Sequence, residues 1–267
     1  MKQISILGCG WLGLPLAKQL VQKGFAVKGS TTSSDKLELL KSLGILPFSI
    51  NITAEEISGS TEDFLENSEV LIINIPPKLR TAEKEDFVSK IQLLIPPIEK
   101  STVSKIIFVS STSVYSDSNE SVSEDTIPEP ATESGIQLLK SESILQNNTS
   151  FQTTIVRFGG LIDEDRHPIR SLAGRKNIEN PEAPINLIHL EDCIGIIVSI
   201  IEQDSWGQTF NAVTPFHPSR KEYYSQKAMD MNLDLPEFNS SSVSKGKTIS
   251  SAKIQKVLNY CFKINPL

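Results

Sequence analysis

Cysteine is scarce: Cys9, Cys193 and Cys261 are the only three in 267 residues. Their odd number and wide spacing exclude a disulfide framework, and no C-x-x-C pair offers a metal site. Histidine is as rare, with three scattered copies, so no metal is expected. Positive charge is not in excess. Lys and Arg total 26 against 32 Asp and Glu, a net charge of −6, which leaves no basic field for nucleic acid or an anionic lipid surface. No apolar run approaches the roughly 18 residues of a membrane span. Met1-Lys2-Gln3 runs directly into a strand pattern rather than a signal peptide. Repeats and low-complexity tracts are absent. These absences predict a soluble, cytoplasmic protein with neither nucleic acid nor membrane as partner.

What is present begins at the first apolar run. Gln3-Ile4-Ser5-Ile6-Leu7 leads into Gly8-Cys9-Gly10-Trp11-Leu12-Gly13, and an amphipathic stretch follows. A strand, a Gly-rich turn and a helix in this order build a pyrophosphate site. The first Gly permits the tight turn, the second lets backbone approach phosphate, and the third lets the helix pack on the sheet. Helix amides and dipole then face the anion. The bland alternative is a tight βα turn with no ligand. Cys9 reads as a small filler against the sheet. Trp11 could flank the cofactor or pack under the loop.

Apolar runs at 3–7, 25–29, 46–50, 70–75, 105–109 and 153–157 alternate with helical patterns, which predicts βαβ units in a parallel sheet covered on both faces. The first helix places Leu12, Leu16, Ala17, Leu20 and Val21 on one side and stops at Gly24. A second begins near Ser34-Asp35, where Asp35 and Glu38 have capping-box spacing. Residues 116–132 read as an exposed loop, and 134–146 return to helical periodicity. The fold class expected is α/β, a Rossmann-type doubly wound sheet with a small C-terminal substrate lobe. Residues 1–157 with 187–212 would form the dinucleotide-binding domain, and 158–186 with 213–267 the lobe.

The cofactor choice turns on the end of the second strand. An NAD site usually offers an acid about 20 residues past the Gly motif, whereas this chain reads Gly29-Ser30-Thr31-Thr32-Ser33-Ser34. Small hydroxyl residues at Ser30, Thr31 and Thr32 leave room for a 2′-phosphate, and Lys36 is a nearby cation. NADP is therefore expected ahead of NAD, with a polar βα loop as the bland reading. Pro76-Pro77 ends the fourth strand at the crevice where ligands sit in doubly wound sheets, with Ile75 and Pro76 as cofactor-side candidates and a rigid turn as the bland reading.

Several segments together resemble one family. Phe108-Val109-Ser110-Ser111-Thr112-Ser113-Val114-Tyr115 is similar to the fifth-strand end of extended short-chain dehydrogenases, the NAD(P)-dependent epimerases and dehydratases. Val156-Arg157-Phe158-Gly159-Gly160-Leu161 resembles their sixth-strand end. Asn186 to Asp192 and Gly207-Gln208-Thr209-Phe210-Asn211 follow in the family's order. GxGWLGxPLA with Arg166-His167-Pro168 resembles an atypical bacterial subgroup. The resemblance implies an NAD(P)-dependent oxidoreductase or epimerase acting on a hydroxylated or nucleotide-linked small molecule. It places Ser110 and Arg157 beside the cofactor and Ser111 where the family polarises the substrate oxygen. The opening motif also resembles β-hydroxyacid dehydrogenases, but 151–157 reads as a strand where that family needs an all-helical domain.

The catalytic helix departs from the pattern. The family's Tyr-x-x-x-Lys puts phenol and ammonium on one helix face, and the cation lowers the phenol pKa. Alignment on Glu142 puts Ser134 at the Tyr position and Leu138 at the Lys position. Lys140 lies over half a turn away. Either other groups do the chemistry, with Ser111, Tyr115 and Ser134 as catalytic candidates, or the protein is a catalytically silent NAD(P)-binding sensor. Arg166 and His167 could meet an anionic substrate, while His189 reads as a hydrogen-bonded structural residue. Ile136, Leu139 and Ile144 could pack on the sheet or on a second copy, leaving monomer and homodimer open.

Overall fold

The computed structural model describes residues 2–77, 86–118, 120–265 and 267. Seven parallel strands form the central sheet: β1 (Gln3–Leu7), β2 (Ala26–Thr31), β3 (Leu46–Ser49), β4 (Val70–Ile73), β5 (Lys105–Ser111), β6 (Gln152–Phe158) and β7 (Thr209–Ala212). Their order across the sheet is β7-β6-β5-β4-β1-β2-β3. The chain therefore winds one way from β1 to β3 and the other way from β4 to β7, and the switch point lies between β1 and β4. The doubly wound sheet expected from the apolar rhythm is the sheet observed. Central strands are buried on both faces, as in β4, where all four residues are buried.

Strand ends differ from the apolar runs for a simple reason. β2, β5 and β6 extend past their hydrophobic stretch because backbone pairing continues through polar residues, as in Thr31 with Ser49 and Ser111 with Phe158. β4 instead stops at Ile73, short of the expected Ile75. Pro76 restricts the residue before it and donates no ladder hydrogen bond.

The main helices are α1 (Gly13–Gln22), α2 (Asp35–Ser42), α3 (Phe87–Glu99), α4 (Glu133–Gln146) and α5 (Leu190–Glu202). In α1, Leu16, Ala17 and Leu20 are fully buried, and Gly24 ends the element at φ +85°. The capping box expected at Asp35 and Glu38 does not form. Ser34 is the N-cap without a side-chain bond, and both acids lie inside the first turn, where the helix dipole favours them. Thr132 caps α4 by accepting from Gly135 N at 3.2 Å.

Residues 116–132 are not wholly a free loop. Ser121–Val122 pair in parallel with Thr248–Ile249, and Val122 is buried in the apolar layer beside β5. A smaller cluster of Ile162, Ile169, Ile185, Leu187, Tyr223, Tyr224 and Ala228 packs on the side of the sheet's carboxyl ends. No helix among the described residues is long and apolar enough to cross a membrane.

Candidate functional site

The Gly turn follows β1 at the switch point. Gly8 has φ +104°, and a Cβ there would sit 2.6 Å from the Asn74 carbonyl oxygen. A Cβ at Gly13 would overlap the Gly8 carbonyl. Both glycines are explained by backbone crowding. Gly10 is different: its φ is not in the left-handed region, it is exposed, and a Cβ there would meet nothing within 4 Å. The turn itself gives no reason for glycine at that position, whereas a ligand approaching the backbone does.

The turn is held from β2 and β4. Gly8 N donates to Ser30 Oγ at 2.9 Å, and Asn74 Nδ2 donates to Gly8 O at 3.0 Å. Cys9 N donates to Ser30 O at 2.7 Å. The Cys9 side chain occupies the space beside Gly29, where a Cβ would lie 2.7 Å from its sulfur. Burial pushes the Cys9 thiol up to about 12, so it is an inert filler. Leu12 is the N-cap of α1 without a side-chain bond. Its side chain is buried in the core, so only its backbone can face a ligand.

Beside the turn lies a cavity of about 220 Å³ bounded by residues 7–10, 30–33, 50–52 and 74–76, with Lys36 and Lys90 in its wall. Gly8, Gly10, Ser30, Thr31, Thr32, Ile75 and Pro76 all line this cavity. Two hydroxyls have structural duties: Ser30 Oγ holds the turn, and Thr31 Oγ1 accepts from Ser33 N at 3.1 Å. Thr32 and Lys36 are exposed. Among the described residues the wall carries Lys36 and Lys90 and no carboxylate. Sequence reasoning missed Asn51, Ile52, Asn74 and Lys90. Lys90 sits on an ordinary-looking helix face, yet it is only 6% exposed.

At the carboxyl end of β5 the expected catalytic groups are not assembled around this cavity. Ser111 Oγ accepts from Ser113 N at 3.2 Å, capping a short turn at Thr112–Val114. Ser134 lies half-buried in the first turn of α4. That helix start is pressed onto the same short turn, since a Cβ at Gly135 would overlap the Ser113 carbonyl. Leu138 is buried among apolar side chains and Lys140 is exposed.

Three candidates are corrected by burial. Glu142 is 1% exposed and needs cationic and hydrogen-bonding partners. Arg157 Nη2 donates to Glu142 Oε2 at 2.6 Å, and Ser110 Oγ donates to Glu142 Oε1 at 2.5 Å. Arg157 Nη1 donates to Tyr115 Oη at 2.5 Å. The Tyr115 hydroxyl also lies 3.1 Å from both Asn211 Oδ1 and Ser123 O. Burial raises the Tyr115 phenol, with Arg157 opposing. Ser110, Tyr115 and Arg157 therefore tie α4 to the sheet rather than face a cofactor or substrate.

The neighbours Arg166 and His167 separate. The Arg166 guanidinium stacks 4.8 Å from the Trp11 ring centroid, while Trp11 Nε1 donates to Asp163 Oδ2. His167 turns inward to Tyr223 and Tyr224. Its Nδ1 accepts from Ile169 N at 3.1 Å, which leaves the ring proton on Nε2 facing Tyr223 Oη at 2.9 Å. Burial, with Lys227 and Arg170 nearby, lowers the imidazole to about 4. It is neutral at pH 7 and provides no cation for an anionic substrate, contrary to the role expected from its sequence position. His189 caps α5, accepting from Glu191 N at 3.3 Å.

Comparison with known proteins agrees with the turn. A model of the NAD(P)H-binding family matches residues 8–188. Protein YeeZ of Escherichia coli strain K12 is 36% identical over 262 residues, 97% of this chain and 95% of that protein. A functionally unknown conserved protein from Silicibacter pomeroyi superposes with a TM-score of 0.79 at 19% identity, over 98% of this chain and 94% of that one. A putative NAD-dependent epimerase/dehydratase from Methylobacillus flagellatus gives 0.78 at 22% identity, over 98% and 93%. UDP-glucuronic acid 4-epimerase from Bacillus cereus, solved with NAD, gives 0.78 at 17% identity, over 98% and 92%. These solved structures share the fold.

Proposed function

The chain belongs to the NAD(P)H-binding family, and from that premise we propose that it binds NADP(H) and acts as an epimerase/dehydratase-like oxidoreductase on a hydroxylated small molecule. The observation that carries the binding is Gly10, where side-chain space is open and nothing in the fold demands glycine. Backbone amides of residues 10–13 would receive the pyrophosphate, and the cavity beyond Ser30 would take the adenosine half. NADP is preferred over NAD because Thr32 and the exposed Lys36 follow the second strand where an NAD site carries an acid, and no carboxylate lines the cavity among the described residues.

When bound, the nicotinamide supplies or accepts a hydride. The chain's own part is to orient the substrate hydroxyl and move its proton. Of the catalytic candidates, Ser111 and Ser134 are the hydroxyls left near the β5 end for orientation. Neither replaces an activated phenol, because a Ser hydroxyl titrates far above neutral pH and Leu138 brings no charge. A second reading, a silent NADP(H) sensor, is supported by the burial of Tyr115 and Leu138.

Titration of NADPH and NADH by nicotinamide fluorescence tests the binding. Saturable NADPH binding tighter than NADH is the expected result, and binding of neither overturns both readings. Exchange of label from (4-²H)-NADPH into a panel of carbonyl metabolites separates enzyme from sensor, since a sensor transfers none.

A further inference from the structure

The loop after β6 carries an arginine whose position is fixed by the Gly turn itself. Asp163 closes that loop. Its Oδ1 accepts from Asp165 N at 2.9 Å and Arg166 N at 2.5 Å, and Asp163 N donates to Arg166 O at 3.0 Å. Its other oxygen accepts the Trp11 indole N–H. Three N–H donors thus offset one carboxylate, and Trp11 joins the loop to the first residue beyond Gly10. The Arg166 guanidinium then lies on the face of the same indole, an arrangement that holds the cation while leaving its edge N–H groups free to donate. Among the described residues no carboxylate forms an ion pair with Arg166, although Glu164 and Asp165 are its loop neighbours. Glu164 faces His189 instead, with Oε1 3.6 Å from Nε2.

We infer that Arg166 is a cofactor-recognition residue, presented by Trp11 and Asp163 to the dinucleotide pyrophosphate. The inference rests on the reading of residues 8–13 as a dinucleotide site. Two features favour the pyrophosphate over an anionic substrate. Arg166 is anchored to the turn residue Trp11 rather than to the C-terminal lobe, and α1 begins beneath it with no acidic residue in its first turn to neutralise the helix amides. His167, which would have made a substrate-facing cationic pair, is turned into the lobe's aromatic cluster. Fork-shaped guanidinium donors match the oxygens of a diphosphate.

The test compares two probes on purified protein: NADP⁺, which has the pyrophosphate, and adenosine 2′-monophosphate, which lacks it. Arg166→Gln is expected to weaken NADP⁺ roughly ten- to a hundredfold, the worth of one charge-assisted contact. Adenosine 2′-monophosphate should bind the variant as it binds wild type. Trp11→Phe keeps a smaller aromatic face but removes the N–H to Asp163, and it should fall between wild type and Arg166→Gln for NADP⁺. Unchanged NADP⁺ affinity in Arg166→Gln overturns the inference. So does an equal loss for both probes, which would mean a general disturbance of the site. Failure of wild type to bind either probe overturns the cofactor reading itself, a different outcome from either of these.

Discussion

Adding one methyl group at Gly10 or at Gly13 distinguishes a turn built for a ligand from a turn built only for a fold. At Gly13 a Cβ overlaps the Gly8 carbonyl and lies 3.0 Å from Asn74 Nδ2. These are backbone and hydrogen-bonded atoms that cannot step aside, so Gly13→Ala should cost about 1–3 kcal/mol as overpacking. At the size of this chain that lowers Tm by roughly 2–10 °C. At Gly10 the methyl meets no atom within 4 Å, and no strained φ is involved. Gly10→Ala should therefore stay within about 0.5 kcal/mol of wild type. The two variants part in stability but not in binding. Gly10→Ala places its methyl where phosphate approaches backbone, and NADPH affinity should fall at least about tenfold, the loss of a single such contact. Thermal melts without ligand, followed by NADPH fluorescence titration, give both numbers. Refutation takes either of two forms: a Gly10→Ala protein that melts as low as Gly13→Ala, or one that binds NADPH as wild type does.

Other outcomes follow from the same geometry. Glu142→Gln leaves Arg157 buried without its counter-charge and should cost about 3–5 kcal/mol in urea unfolding, with Arg157→Met in the same background restoring part of the loss. His167 titrates near 4 in the folded protein and near about 6.5 when unfolded. Between these values the unfolded chain binds more protons, so stability falls as pH drops from about 6.5 toward 4; His167→Asn should flatten that slope in calorimetry. Lys36→Glu should weaken NADP⁺ about tenfold while leaving NAD⁺ nearly unchanged, measured by competition against NADPH fluorescence. Iodoacetamide should label Cys261 alone in the native protein, because Cys9 and Cys193 are buried and burial raises both thiols; mass spectrometry counts the adducts.

The parts of this fold legible from sequence are those whose cause is local. Residues 3–24 carry a continuous apolar strand, fixed Gly spacing and one helical stripe, so the strand, turn and helix could all be placed. The buried network could not. Glu142 and Arg157 are 15 positions apart and Tyr115 is 42 from Arg157. Their meeting depends on β5 and β6 pairing with Ser110 opposite Arg157, a register no periodicity records. The family resemblance puts Arg157 beside the cofactor, and it is a structural group because Glu142 faces it. Arg166 and His167 show a related limit. Adjacent residues in a loop were read together, whereas Asp163 folds the loop so that one meets Trp11 and the other meets Tyr223. The cavity wall at Asn51–Ile52 comes from a two-residue strand paired with Ile57–Ser58, too short to leave a pattern.

Binding half and reacting half of such a site are mechanically separable here. The turn is fixed by the three neighbouring strands β4, β1 and β2 through Ser30 and Asn74. The helix face bearing Ser134 and Leu138 belongs to α4, which is anchored through Glu142 to β5 and β6. No hydrogen bond among the described residues joins α4 to the turn, so exchanging Ser134 or Leu138 leaves the steric demands at Gly8 and Gly13 untouched. The open space at Gly10 accordingly bears on cofactor binding and carries no information about turnover. In the enzymatic reading, turnover would rest on what α4 and the loop after β6 present. There the one exposed cation with a fixed position, among the residues singled out from the sequence, is Arg166 on Trp11. Among the catalytic candidates read from the sequence, Ser111 and Ser134 can act only as hydrogen-bonding rather than titrating groups, because the Tyr115 phenol is locked to Arg157.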